Sequence, residues 1–261
     1  FLMATGKERF SDLLKTQNYQ MITDFRQTYI EALKQYYFVG GMPEAVQSFA
    51  DNADFNEVRK IQKRIIESYG QDFSKHAPRE QIPRIQMVWN SVPSQLAKEN
   101  RKFIYGVIRE GARAKDFELA IQWLSDYGLI FRSTRISKPD LPVKAYAEQS
   151  AFKVFLNDVG LLGAMADLPA VTVIDGNSIF TEFKGALTEQ FAAQELRTAG
   201  FQLYYYSTEN SDGEIDFVIQ NGMNIDLVEI KSGKDFKTHR ALDKIRLVSE
   251  WKFSRSIVFC K

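Results

Sequence analysis

The stretch that most restricts how this chain can fold is Gly213-Glu214-Ile215-Asp216-Phe217-Val218-Ile219-Gln220, then Asn221-Gly222, then Met223 through Glu229-Ile230-Lys231. An Asn-Gly pair between two runs rich in Ile, Val and Phe predicts a β-hairpin, because a two-residue type I′ turn needs positive φ at both central positions. A turn on Asn221-Gly222 would set Gln220 opposite Met223, Val218 opposite Ile225, Asp216 opposite Leu227 and Glu214 opposite Glu229. Directly opposed residues point to one side of a sheet, and Glu229 and Lys231 share that side, about 7 Å apart along the strand. Three carboxylates and one lysine are thereby expected on a single face. Opposed acids repel, and a divalent cation relieves the repulsion. Mg²⁺ needs only one or two carboxylates beside water and substrate phosphates, and a neighbouring lysine can steady a phosphate or a water as a point charge.

With 261 residues the chain is long enough for one large or two smaller domains. Its 34 Lys and Arg nearly balance 33 Asp and Glu, so global charge makes no case for a nucleic-acid or membrane partner, and any such case must be local. Apolar runs are short and broken by charge, which excludes a membrane-spanning helix, and the first residues lack the basic and apolar regions of a signal peptide; the expected compartment is the cytoplasm. The single cysteine, Cys260, and the two histidines, His76 and His239, allow neither an internal disulfide nor a zinc constellation.

Residues 8–80 read as helical. A short helix holds Leu13 and Leu14, and a second runs from Phe25 to Tyr37 and stops at Gly40-Gly41. Pro43 suits the first turn of a third. A long helix from Phe55 to about His76, with Val58, Ile61, Ile65, Ile66 and Tyr69 inward, ends at Ala77-Pro78.

Residues 81–137 predict helices over Ile82–Leu96, Lys102–Glu110 and Asp116–Asp126, then a strand over Phe131–Ile136, the order of a winged-helix unit. Arg109, Arg113 and Lys115 stand near the turn, but Asp116, Glu118 and Asp126 give the recognition-like helix the wrong sign for DNA, so packing against protein is the expected role. Another strand is expected over Ala151–Leu156, and Gly160–Met165 reads as helical, with a soft boundary near 168–176. A helix over Ala186–Ala199 then stops at Gly200, followed by a strand over Phe201–Tyr206, the hairpin, a helix from about Thr238 to Trp251 and a strand over Ser256–Cys260.

This α-β-β-β-α-β order, with an acid ahead of a hairpin that ends in Glu-x-Lys, resembles the PD-(D/E)xK nuclease superfamily, the restriction-endonuclease-like fold. The resemblance implies that Asp216 and Glu229 bind Mg²⁺ or Mn²⁺ with the carbonyl of Ile230, that Glu189 completes the set from the preceding helix, and that Lys231 positions the attacking water. Ile215 stands where the literal motif has proline. The following segment carries Lys234, Lys237, Arg240, Lys244 and Arg246 against Asp235 and Asp243, a net positive helix suited to phosphates.

A wider resemblance rests on Phe38-Val39-Gly40-Gly41-Met42-Pro43-Glu44-Ala45-Val46, the winged-helix-like segment, Leu156-Asn157-Asp158-Val159-Gly160-Leu161 and Gly185-Ala186-Leu187-Thr188-Glu189. Together these resemble a bacterial and archaeal family of AAA-type ATPases in which a C-terminal domain of unknown function follows the ATPase module. The phosphate loop is missing, since Thr5-Gly6-Lys7-Glu8 lacks both the first glycine and the final hydroxyl residue. ATP would therefore belong to an N-terminal module outside this sequence, and a start at Phe1 fits a fragment keeping the end of the ATPase lid.

The expected fold class is mixed α/β: a helical segment over 1–80, a winged-helix-like domain over 81–168 and a nuclease-like domain over 169–261. Two functions stay open: Mg²⁺-dependent hydrolysis of DNA or RNA, or a catalytically inactive platform that binds nucleic acid or protein and regulates the ATPase.

Overall fold

Glycine and proline punctuate the first helices where their backbone chemistry requires. In the computed structural model, which describes residues 1–98, 102–175, 181–207, 213–231 and 253–260 together with Leu242, Asp243, Ile245, Val248 and Trp251, the helices α1 (Glu8–Lys15), α2 (Tyr19–Asp24), α3 (Arg26–Val39), α4 (Pro43–Asn52) and α5 (Phe55–His76) come first. Helix α3 ends on Gly40 at φ +75°, and Pro43 opens α4, where its missing N–H costs nothing. The Asp54 side chain caps α5 by accepting from the Asn56 N–H at 2.8 Å. Inside α5, Val58, Gln62 and Phe73 are buried, whereas Ile61, Ile65, Ile66 and Tyr69 are only partly so.

The chain continues through α6 (Ile82–Leu96), α7 (Tyr105–Ile108), α8 (Ala114–Asp126), β1 (Ile130–Ile136), β2 (Ala147–Leu156), α9 (Val159–Met165), α10 (Ala170–Asp175), α11 (Thr181–Thr198), β3 (Tyr204–Ser207), β4 (Glu214–Asn221), β5 (Asn224–Lys231) and β6 (Arg255–Cys260). Most of the helix expected between Thr238 and Trp251, with Lys234, Lys237, Arg240, Lys244 and Arg246, lies outside the described residues. The protein is of the mixed α/β class.

The chain divides into two compact units. The first joins Phe1–Ala77 to Asp158–Thr181, and the second joins Pro78–Asn157 to Glu182–Lys261. Within the first unit, two glycine motifs far apart in sequence meet on one carboxylate. Asp158 Oδ1 accepts from the Leu161 N–H at 2.9 Å as the cap of α9, and Oδ2 accepts from the Gly41 N–H at 2.6 Å. A Cβ on Gly40 would lie 2.2 Å from Asp158 Oδ1, and one on Gly160 would lie 2.6 Å from the Val39 carbonyl oxygen, so both positions require glycine. Buried Gln62 donates to the carbonyls of Phe38 and Val39, at 2.7 and 3.0 Å. Arg59 stacks 4.3 Å over the Phe38 ring and donates to the Leu168 carbonyl, and burial lowers its guanidinium to about 10. Burial likewise pushes the Asp158 carboxyl up, against the opposing pull of the N–H groups of Gly41, Leu161 and Gly160.

The second unit is built on a six-stranded sheet in the order β2-β1-β3-β4-β5-β6. Pairs β1–β2, β3–β4 and β4–β5 are antiparallel, and pairs β1–β3 and β5–β6 are parallel. The expected division between 81–168 and 169–261 therefore gives way to one sheet. The physical reason is the open edge of β1: Thr134, Arg135 and Ile136 pair with Tyr204, Tyr205 and Tyr206, and an unpaired β1 would expose those backbone groups.

Both sheet faces are covered. On one, Ile136, Tyr204, Ile215, Val218, Ile225 and Leu227 form a core with Leu242 and Ile245, and Val258 packs against it. On the other, Phe155 meets Phe217 with ring centroids 5.8 Å apart, and Phe191 of α11 meets Phe259 at 6.4 Å. In α8, Asp116 accepts from the Arg113 N–H at 3.2 Å and so caps its own helix.

Candidate functional site

The hairpin forms, with its turn one residue later than expected. Asn221 pairs with Asn224, which leaves Gly222-Met223 as the loop, and Gly222 alone in it takes positive φ, +61°. Glycine at the first loop position suits a type II′ turn, whereas the expected I′ turn needs positive φ at two residues. The pairs become Gln220–Ile225, Ile219–Asp226, Val218–Leu227 and Phe217–Val228. This shift displaces each partner by two positions, so every side chain keeps its face. The alternation of apolar residues fixes the faces, and only the turn distinguishes these two registers.

Beyond Phe217 the alternation breaks. Strand β3 takes two steps from Tyr204 to Tyr206 while its partner β4 takes three, from Val218 to Ile215. The extra residue lies within Asp216-Phe217 and forms a bulge, a device that re-aims side chains. It explains why Ile215 and Val218 share a core despite being three apart. The register shift has already moved Glu214 from opposite Glu229, and the bulge turns it, paired across from Ser207 of β3, to the other face, where Lys153 meets it, so the three carboxylates expected on one face do not share it.

Three of the sequence-derived positions meet at the open end of the hairpin. Asp216 Oδ2 accepts from the Ile230 N–H at 2.7 Å, which draws it to the Glu229-Ile230-Lys231 run. Lys231 Nζ lies 2.5 Å from Glu229 Oε1, with the glutamate side chain only 6% exposed.

Glu189 is not brought to them. Val258, the cross-strand partner of Glu229, packs on the first face, and its neighbour Phe259 packs on the second, against Phe191. Glu229 thus belongs to the first face, while Glu189 lies on α11 over the second.

What Glu189 meets there is a residue that the sequence reading passed over. Lys153 of β2, fully buried, donates to Glu189 Oε1 at 2.9 Å and to Glu214 Oε1. Its ammonium stands 5.0 Å from the centroid of the Tyr205 ring. Burial raises the Tyr205 phenol well above its ordinary value, and the Glu214 charge adds to the rise. One signal was available: a lysine within Ala151-Phe152-Lys153-Val154-Phe155-Leu156, a run otherwise fit for a fully buried strand.

A Mg²⁺ ion calls for carboxylate oxygens that converge on one point. Here one oxygen of Asp216 is held by a main-chain N–H, one of Glu229 by Lys231 and one of Glu189 by Lys153. Among the described residues no group of three or more His, Cys, Asp or Glu side chains is placed to hold a metal ion. The three acids therefore do not fit a cation as one group.

Comparison with known proteins adds two matches. Residues 30–172, more than half of the 261, match the family described as a domain of unknown function, DUF8612. The chain belongs to that family. Its match takes in both glycine motifs that clasp Asp158 and continues through α6, α8 and the β1–β2 pair. Residues 184–261 match a second domain of unknown function, DUF4143, and this stretch holds Glu189, Asp216, Glu229 and Lys231. None of the curated proteins and none of the solved structures compared matches the chain. Among the described residues no helix is long and apolar enough to cross a membrane.

Proposed function

We propose that this chain is the part of an AAA-type ATPase that follows its nucleotide-binding module, and that the second unit is a nuclease-like platform that binds and regulates without cutting. The observation that carries this reading is the engagement of each candidate acid by a donor of the chain itself: Asp216 by the Ile230 N–H, Glu229 by Lys231 and Glu189 by Lys153. The DUF4143 match supports the ATPase association, since that domain is commonly found with AAA ATPases. The order α11-β3-β4-β5-β6 is compatible with the nuclease-like resemblance. ATP binding is assigned to the module outside this sequence, and the compartment to the cytoplasm.

A second reading, Mg²⁺-dependent hydrolysis of DNA or RNA, is favoured by one contact, that of Asp216 with Ile230 beside Glu229 and Lys231. It would use two carboxylates and leave Glu189 aside, a number that Mg²⁺ accepts.

Labelled single- and double-stranded DNA and RNA, incubated with the purified chain in millimolar Mg²⁺ or Mn²⁺, separate the two. The platform reading expects no cleavage above that of Asp216→Ala, and a changed rate of ATP hydrolysis when the chain is added to its ATPase module. Metal-dependent cleavage that disappears in both Asp216→Ala and Lys231→Ala would establish the second reading instead.

A further inference from the structure

A lysine at 0% exposure within a sheet is costly unless its charge is matched, and Lys153 is matched twice. Its ammonium lies between two carboxylates supplied by different elements, Glu189 from α11 and Glu214 from the first position of β4. Ser133, the cross-strand partner of Lys153 on β1, points to the same face. Ser133 Oγ and the Tyr205 hydroxyl are both buried and have no hydrogen-bond partner among the described residues. Two carboxylates converging on one positive centre, with two unpartnered hydroxyl oxygens in the same buried neighbourhood, make an oxygen-rich set of the kind that hard divalent cations select. Glu214 keeps 23% of its side chain exposed, which connects the cluster to solvent.

We propose that the Lys153 ammonium is the built-in cation of a two-carboxylate site, and that it closes this face of the sheet to divalent metal. The lysine supplies one positive charge at the point where the two carboxylates meet, tethered by its own strand, so the place a dissolved ion would take between them is already filled. Removing the ammonium leaves two facing carboxylates and room between them. The lysine is thus the specificity determinant of the cluster, admitting no ion while it is present. This inference does not depend on what the hairpin binds, because Glu189 and Glu229 occupy opposite faces.

The test is Mn²⁺ binding by the full chain, read by calorimetry and by electron paramagnetic resonance, in wild type, Lys153→Ala, and Lys153→Ala with Glu189→Gln. Lys153→Ala is expected to bind one Mn²⁺ more than wild type, and the added Glu189→Gln to abolish that increment. If Lys153→Ala is unfolded in chelator, recovery of its far-ultraviolet circular dichroism on adding Mn²⁺ supports the proposal, and failure to recover counts against it. A folded Lys153→Ala with no additional ion overturns it, as does wild-type Mn²⁺ binding that is lost in Glu189→Gln alone. Any Mn²⁺ bound by wild type and lost only in Asp216→Ala would instead report on the hairpin and count against the platform reading, so the two failures are distinguishable.

Discussion

The two units bury a carboxylate by opposite means. In the first, Asp158 is held by main-chain N–H groups of Gly41 and Leu161; in the second, Glu189 is held by the side chain of Lys153. Main-chain donors are fixed by the fold and demand close approach, which is why Gly40 and Gly160 tolerate no Cβ. They carry no net charge, and the Asp158 carboxyl is pushed up by its burial. A lysine supplies a full charge but leaves two ions mutually dependent. The first device is rigid in its sequence requirements, and the second is fragile to loss of either partner.

The largest expected effect breaks the second device. Lys153→Met should cost about 3–5 kcal/mol, because Glu189 would remain buried without its cation. Replacing Glu189 by Gln in the same chain should restore most of the loss, since two neutral residues of similar volume leave no orphaned charge. Urea denaturation of the four proteins in the cycle gives the coupling directly. If the double variant is as unstable as the sum of the singles, the pair is not coupled and the contrast between the units fails.

Next comes the first device. Gly160→Ala would bring a Cβ to 2.6 Å from the Val39 carbonyl oxygen, a main-chain atom that cannot swing aside. A loss of about 1–3 kcal/mol is expected from such overpacking. Thermal unfolding within a degree of wild type would mean that α9 and the end of α3 are less tightly joined than described.

The smallest effect concerns pH and sharpens the comparison. A carboxyl whose folded value is raised binds an extra proton in the folded state between the unfolded and folded values. Its contribution to stability is therefore fully present below the unfolded value and is lost as pH rises through the folded one. Asp158→Asn removes that titration while keeping a cap oxygen. The stability advantage of wild type over the variant should narrow as pH is raised from 4 to 7, followed by urea midpoints. A gap that widens would show that the main-chain bonds outweigh burial at Asp158.

The same contrast governs what could be read from the sequence. The stops at Gly40 and Pro78, the opening of α4 at Pro43 and the span Phe55–His76 were legible because each depends on backbone chemistry written locally. The hairpin was legible for the same reason, as were the faces of its strands from Phe217 to Val228, but not that of Glu214, which lies beyond the bulge. Its register was not, since Asn-Gly and Gly-Met are both workable loops and both keep Val218 on the core side. The bulge at Asp216-Phe217 left no mark either, because it arises from pairing with β3. Lys153 and Glu189 are 36 residues apart and Lys153 and Glu214 are 61 apart, and no spacing rule joins a strand lysine to a helix glutamate at that range. At the candidate site, the approach of Asp216 to Ile230 follows the hairpin, whereas Glu189 went elsewhere because α11 covers the other face.

The path of the chain between the units has a practical consequence. The polypeptide passes from one unit to the other after Ala77, after Asn157 and after Thr181. A single cut therefore cannot part them: wherever the chain is severed between those points, at least one piece carries portions of both. A fragment beginning at residue 169 would keep β3 to β6 but lose β1 and β2, presenting the bare edge of β3 to solvent and to its own copies. During synthesis, likewise, β1 emerges long before the strand it must pair with in parallel, so the second unit closes only after the excursion over Asp158–Thr181 has been made. Truncation boundaries for this protein are accordingly set by its sheet, not by its linear order.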